Sequence, residues 1–329
     1  MMPLPNPNGP LSESDAREAF SKILDGNADA EAISAFLVAL ADRGETATEI
    51  AAAAQEMRAR MITVDAPAGA IDVCGTGGDG SHSLNISTAT ALVVAACDIP
   101  MAKHGNRAAS SKSGAADTLE ALGLDLAKAA TGGEQSLREI GIAFFFAPNH
   151  HPALGPLAPI RKALGRRTIF NLLGPLCNPA RVRRQLIGVA SPDLVDVYAE
   201  AAARLDYEKI MIVSGEEGLD ELSISGPSRL AIVEGQAITQ SRITPEDIGL
   251  PRHQAESIKG GDAGYNAAAL RDLLQGEASA YRDAVVLNSA AALMVAGEVD
   301  SWEAGAEEAA EALDKGLANA LLNCWIANQ

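Results

Sequence analysis

The pattern of apolar residues changes character once, near residue 70, and that change restricts the chain to a small set of architectures. Before it, apolar positions recur at helical spacing, as at Ala19, Phe20, Ile23 and Leu24, and no strand signal appears. After it, short apolar runs alternate with helical patterns, which is the signature of a mainly parallel sheet flanked by helices. The spacing predicts three short helices over 12–60, the third opened by a capping box from Thr46 to Glu49. Strands are expected over 71–74, 100–103, 143–147, 185–190 and 209–213, with helices over 89–97 and 115–122. A hairpin over 229–233 and 237–243 should turn at Glu234-Gly235-Gln236, and helical patterns over 266–274, 281–296 and 302–326 close the chain. A proline-rich passage over 149–180 interrupts the alternation. The expected fold is therefore α/β. A small helical domain spans 1–66 and regains the chain near 157–182, and a larger α/β domain with a mainly parallel central sheet spans 67–329.

At 329 residues the chain exceeds the roughly 250 to 300 residues that one hydrophobic core usually serves, which agrees with two lobes. A formal net charge of -17 disfavours nucleic-acid backbones and anionic membrane surfaces as partners. Any anion site must then be a local basic pocket. Cys74, Cys97, Cys177 and Cys324 lie far apart and form no zinc spacing, so reduced thiols are expected. Residues 1–12 lack a basic, apolar signal pattern, and apolar runs such as 90–96 fall short of the roughly 20 residues of a membrane span. A soluble cytoplasmic protein is expected.

Three stretches carry chemistry. The first, over 72–80, reads DVCGTGGDG and sets glycines between a strand end and a helix, where open α/β sheets bind ligands. Glycine lets backbone N–H groups approach phosphate oxygens, and the helix adds its positive dipole end. The polar run Asn85-Ile86-Ser87-Thr88 follows at that helix start. Capping explains one such residue, and phosphate or metal contact would explain more. The second, KHGNRAASSKSGAAD from Lys103, is a local basic cluster at another strand end of a very acidic chain. The third holds Asp220 and Glu221 in a glycine-flanked loop after the 209–213 strand. Such acids suit Mg2+, which takes one or two carboxylates and completes its shell with substrate oxygens and water.

Together the GTGGDG, NIST, KHGNRAASS, RTIFNLLGPLCNPA and GLDEL segments, in this order and over nearly the whole chain, resemble the anthranilate phosphoribosyltransferase family. The resemblance implies a nucleoside phosphorylase/phosphoribosyltransferase-type architecture and a homodimer formed through the helical domain. It implies transfer of the 5-phosphoribosyl group from phosphoribosyl pyrophosphate (PRPP) to the amine of anthranilate, in tryptophan biosynthesis, assisted by Mg2+. The products would be N-(5-phosphoribosyl)anthranilate and pyrophosphate. Matched to the family's PRPP contacts are Gly75, Gly78, Asp79, Ser83, Asn85, Ile86, Ser87 and Thr88. The match continues through Lys103, His104, Gly105, Asn106, Arg107, Ala108, Ala109, Ser110 and Ser111, and at Ala115. Ser87, Asp220 and Glu221 match the metal positions, and Gly75, Asn106 and Arg161 the anthranilate contacts. Lys103, His104, Asp220 and Glu221 are the expected catalytic set. His150 and His151 are expected to shape a helix or turn entry, and Arg166 and Arg167 divide between structure and the substrate channel. The chain departs from the pattern at Ser214, where relatives usually carry His, and at Ala115, where some carry Ser. A pyrimidine nucleoside phosphorylase shares this architecture, but RTIFNLLGPLCNPA and GLDEL fit the transferase better. A nucleic-acid-binding relative that has lost catalysis is disfavoured by the net charge.

Overall fold

The computed structural model describes residues 3–108 and 112–328. Helices α1 (Glu13–Leu24), α2 (Ala30–Arg43) and α3 (Ala47–Arg58) come first. Ser12, Asp29 and Thr46 cap their N-termini through side-chain oxygens, and Glu49 completes the capping box of α3. The fully buried Glu49 carboxylate also accepts the Leu11 N–H at 2.9 Å and the Arg43 guanidinium at 2.6 Å. One paired buried acid thus ties the N-terminal arm to α2 and α3.

The alternating part runs β1 (Ile71–Gly75), α4 (Ile86–Ala95), β2 (Met101–Gly105), α5 (Ala115–Leu122), α6 (Leu126–Glu139) and β3 (Ile142–Phe146). The proline-rich passage forms α7 (Ala147–His150), α8 (Ala158–Leu164) and α9 (Phe170–Leu173). Then come β4 (Arg184–Gly188), α10 (Leu194–Ala202), β5 (Lys209–Gly215) and the hairpin β6 (Ser228–Glu234) and β7 (Ala237–Ile243). The chain ends with α11 (Ala263–Leu274), α12 (Ala280–Ala296), α13 (Trp302–Asp314) and α14 (Leu317–Ala327).

The structure differs from the sequence reading at four helices. Helix α4 begins at Ile86 rather than 89. Helix α6 carries Gly132 and Gly133, which mask its pattern. A Cβ at Gly133 would stand 2.9 Å from Phe145 Cε1, so glycine is what lets this helix lie against β3. Helix α10 is a nine-residue element between two strands. The helix expected over 302–326 is two helices, broken where Gly316 adopts φ +70°.

Among the described residues seven strands form one sheet in the order β3-β2-β1-β4-β5-β6-β7, with β6 antiparallel to both β5 and β7. Chain order reverses direction at β1, so the carboxyl ends of β1 and β4 border the crevice that such sheets use for ligands. Gly75 and Gly188 are register partners at that edge. By contrast, β1 and β2 are in register only at Ile71 and Met101. Side chains replace the ladder beyond that pair. The His104 N–H donates to Asp72 Oδ1 at 3.1 Å, Lys103 Nζ to the Val73 carbonyl at 2.8 Å, and Asn178 Nδ2 to the Ala102 carbonyl at 2.8 Å.

Helices α4, α5 and α11 to α14 share a core with one face of the sheet. The other face, with Ile187, Val189, Ile210 and Ile212, shares a core with α1, α2, α3, α9 and α10. Phe170 packs edge-on against Phe20 at 6.3 Å, so the proline-rich passage does meet the helical lobe. No helix among the described residues is long and apolar enough to cross a membrane.

Candidate active site

At the carboxyl edge of β1 and β4, glycine is a steric requirement rather than a turn preference. A Cβ on Gly75 would lie 2.2 Å from Asp220 Oδ2, and one on Gly188 would lie 1.5 Å from the Asp220 carbonyl oxygen. The loop after β5 can therefore lay its acids across both strand ends. Asp220 Oδ2 accepts the Gly77 N–H at 2.7 Å, which fastens that loop to the glycine-rich one. Ser214 steadies the base of the loop, its hydroxyl donating to the Gly215 and Leu219 carbonyls at 3.3 and 3.4 Å.

Burial, and then the Asp79 carboxylate, push Asp220 up to about 7. Burial, Asp220 and Asp79 raise Glu221 well above the usual carboxylate range, against the opposing pull of Lys103 and the Ser87 N–H. Glu221 Oε2 is buried with no hydrogen-bond partner among the described residues, as is Asp79 Oδ2. Crowded, incompletely paired acids are a poor resting arrangement and a good cation seat. Among the described residues no three His, Cys, Asp or Glu side chains converge into a metal cage. Two carboxylates beside the Ser87 hydroxyl are instead a partial donor set, the kind that fits Mg2+ shared with a phosphorylated substrate.

Lys103 reaches the site from β2 and is buried. Its ammonium touches the Val73 carbonyl and lies 3.3 Å from Ser87 Oγ. Burial lowers its pKa, opposed chiefly by Asp72 and then by Cys74 and Glu221. Next to it, burial and the neighbouring His151 and His150 lower His104 to about 3, and burial lowers His151 to about 4. Their Nε2 atoms stand 3.3 Å apart, so two neutral rings share a hydrogen bond.

These groups open into a cavity of about 950 Å3. Of the residues singled out in the sequence, Gly75, Gly78, Ser87, Lys103, His104, Gly105, Asn106, Arg107, Ala108, Ala115, Arg161, Arg166, Arg167, Asp220 and Glu221 line it. Asp79, Ser83, Asn85, Ile86 and Thr88 do not. Ile86 belongs to the core. The Asn85 amide oxygen accepts from Thr118 and from Asn266 Nδ2, which explains why this residue does not cap α4. Ser83 bridges to Lys259. The Thr88 hydroxyl is buried without a hydrogen-bond partner among the described residues. Arg107 lines the cavity but is paired with Asp117 at 2.8 Å and with Glu120. Ala109, Ser110 and Ser111 lie outside the described residues.

The far wall comes from the proline-rich passage. Arg161 is half-buried over the Phe170 ring, at 5.8 Å, and forms no ion pair among the described residues. Burial alone lowers its pKa. An unpaired, partly desolvated guanidinium facing a cavity suits a carboxylate ligand. Arg167 donates to the Gly78 carbonyl at 3.1 Å, while Arg166 pairs with Asp42 of α2 at 2.6 Å.

Sequence reasoning overlooked several contributors. Gly188 ends an ordinary apolar strand and announces nothing. Asp117 holds both the Ala108 and Gly114 N–H groups, at 3.1 and 2.9 Å. Its only sequence signal is its place three residues after Gly114. His151, expected to shape a helix or turn entry, opens the short helix Pro152–Leu157 and also lies against His104.

Two family models match the chain: "Glycosyl transferase family, helical bundle domain" over residues 7–61 and "Glycosyl transferase family, a/b domain" over residues 68–319. The anthranilate phosphoribosyltransferase of Novosphingobium aromaticivorans is 63% identical over 324 residues, covering 98% of each chain. That of Sphingopyxis alaskensis is 62% identical over 325 residues, 99% of this chain and 98% of that one. Among solved structures, anthranilate phosphoribosyltransferase from Thermus thermophilus superposes with a TM-score of 0.91 at 42% identity, covering 97% of this chain and 96% of that one. The Saccharomyces cerevisiae enzyme in complex with PRPP and Mg gives 0.87 at 30% identity, covering 96% and 93%. With near full-length identity at this level and both lobes matched, the chain belongs to the anthranilate phosphoribosyltransferase family.

Proposed function

We propose that this protein transfers the 5-phosphoribosyl group of PRPP to the amine of anthranilate, releasing pyrophosphate, as a step of tryptophan biosynthesis. The observation that carries this reading is the two-sided cavity. Buried Asp220, half-buried Glu221 and buried Lys103 stand at the sheet edge, and an arginine without an acidic partner among the described residues stands on the opposite wall. Sequence identity to named relatives and a yeast homologue solved with PRPP and Mg support it. Another yeast structure holds 4-fluoroanthranilate.

In this reading PRPP lies along the 75–79 loop with its pyrophosphate toward Ser87 and Lys103. Asp220, Glu221 and Ser87 would hold Mg2+, which supplies positive charge against the leaving pyrophosphate when bound. Lys103 faces the same developing charge, and preorganised charge of this kind is worth about 3 kcal/mol per donor. Arg161 pairs with the anthranilate carboxylate and turns the amine toward the ribose C1 carbon. The amine is neutral near pH 7 and attacks directly as the C1–pyrophosphate bond breaks, so no covalent nucleophile is required. His104 is too weak a base to retain the amine proton near neutrality, and its Nε2 already faces His151, so it forms a neutral wall of the site and takes no proton. The proton leaves to water or pyrophosphate. Gly75 and Asn106 complete the anthranilate contacts.

We further assign the protein to the cytoplasm and to a homodimer paired through the helical lobe, a state that sedimentation of the purified protein would measure. Purified protein given anthranilate, PRPP and Mg2+ should consume anthranilate fluorescence. Folded protein that leaves it unchanged would overturn the proposal.

A further inference from the structure

Asp72 lies on β1 beneath the cavity, fully buried, and takes no direct part in the chemistry described above. Burial raises its carboxyl above the ordinary range, opposed chiefly by Lys103. A buried charge is costly, and an apolar residue would pack there more cheaply. Its oxygens are divided between the two sides of the site. Oδ1 accepts the His104 N–H where a strand carbonyl would ordinarily stand. Oδ2 accepts Asn178 Nδ2 at 2.8 Å and Gln185 Nε2 at 3.0 Å. Gln185 donates as well to the Pro175 carbonyl at 2.9 Å, and Pro175 is part of the cavity wall. Behind Gln185, the Tyr207 hydroxyl donates to its Oε1 at 3.1 Å, and Arg58 of α3 donates to Tyr207 and to the Leu176 carbonyl. The segment from Pro175 to Asn178 is therefore hung, through amides, on the carboxylate that also holds the end of β2.

We propose that Asp72 is a positioning residue, setting the distance between the Lys103–His104 end of β2 and the Pro175–Asn178 wall, and so between the phosphoribosyl donor and the aromatic acceptor. The inference rests on the phosphoribosyl-transfer reading.

Asp72→Asn is nearly isosteric. Its amide oxygen can keep the His104 N–H, while its amide nitrogen must face two donors, Asn178 and Gln185. The acceptor wall should shift and the donor side should hold. The expected result is a fall of about 100-fold in kcat/KM for anthranilate, with the PRPP KM changed by less than about threefold and a cooperative melt retained. Gln185→Met should lower the same quantity by about tenfold. The two changes combined should be no worse than Asp72→Asn alone, because they break one unit. A lower melting temperature with unchanged kcat/KM would make Asp72 purely structural and end the proposal. A parallel rise in both KM values, or losses that multiply in the double variant, would also overturn it. If Asp72→Asn does not fold, Gln185→Met decides alone: an anthranilate-specific loss supports the proposal and no loss refutes it. Wild-type protein assayed alongside separates the readings. An inactive wild type sinks the transferase reading itself, while an active one with unaffected variants sinks only the role of Asp72.

Discussion

Replacing Gly188 by alanine should disable the site without removing a polar group. The added Cβ would fall 1.5 Å from the Asp220 carbonyl oxygen and 2.3 Å from its carbonyl carbon. Ordinary contact for such atoms is about 3.5 Å, so the main chain bearing Asp220 must retreat by roughly 2 Å. Overpacking of this kind costs about 1–3 kcal/mol, which a domain of normal stability survives. The catalytic loss should be larger, because misplacing a reacting group by about 1 Å can cost about 100-fold. The expected fall in kcat/KM for PRPP is thus at least about 100-fold, or about 2.7 kcal/mol, measured by anthranilate fluorescence at saturating Mg2+. Gly75→Ala is the graded comparison. Its Cβ meets mainly the Asp220 side chain, at 2.2 Å from Oδ2 and 2.8 Å from Cγ, and a carboxylate can rotate away. That variant should lose less activity and mainly require more Mg2+. A folded Gly188→Ala protein within about threefold of wild type would refute the reasoning, since the acids would then not depend on this packing.

Arg161→Ala removes a charge-assisted contact worth about 1.5–3 kcal/mol, so the anthranilate KM should rise at least about tenfold while the PRPP KM holds. Equal anthranilate KM values in the two proteins would remove Arg161 from the acceptor site. Asp220 is pushed up to about 7, above its ordinary value of about 4 in an unfolded chain. Between those values the folded protein holds a proton that the unfolded chain releases. The stability from this group is therefore complete below pH about 4 and lost as pH rises through about 7. Mg2+ competes with that proton, so the thermal shift it produces should be larger at pH about 8 than at about 6, and Asp220→Asn should shrink the difference to what Glu221 alone supplies. Equal shifts at both pH values in the wild type would contradict this. Ser214→Ala deletes a hydroxyl that serves two loop carbonyls, and chemical denaturation should record a loss of about 1 kcal/mol.

What was legible in the sequence was local. The Thr46–Glu49 capping box, helix α5 and the hairpin turning at Gly235 all announce themselves over a few residues. The loops at strand ends were equally plain, because glycine and basic residues in those places have few other uses. What was missed depends on distant partners. Asn85 reads as a helix cap until Thr118 and Asn266 claim its amide oxygen. Arg107 reads as an unpaired cation, and only the fold brings Asp117 and Glu120 round on α5 to pair with it. Gly188 looks idle until the loop bearing Asp220 crosses it. Helix α6 was hidden because Gly132 and Gly133 resemble a turn, and only the ring of Phe145 explains the second of them.

The central claim is that one cavity joins a metal-assisted phosphoribosyl site to an arginine-marked acceptor site. Counting pyrophosphate released against anthranilate consumed, with and without Mg2+, tests it most directly. The account predicts equal amounts of each, dependence on Mg2+, and severe loss in Glu221→Gln. Pyrophosphate release that proceeds without anthranilate consumption, or turnover indifferent to Glu221, would contradict it.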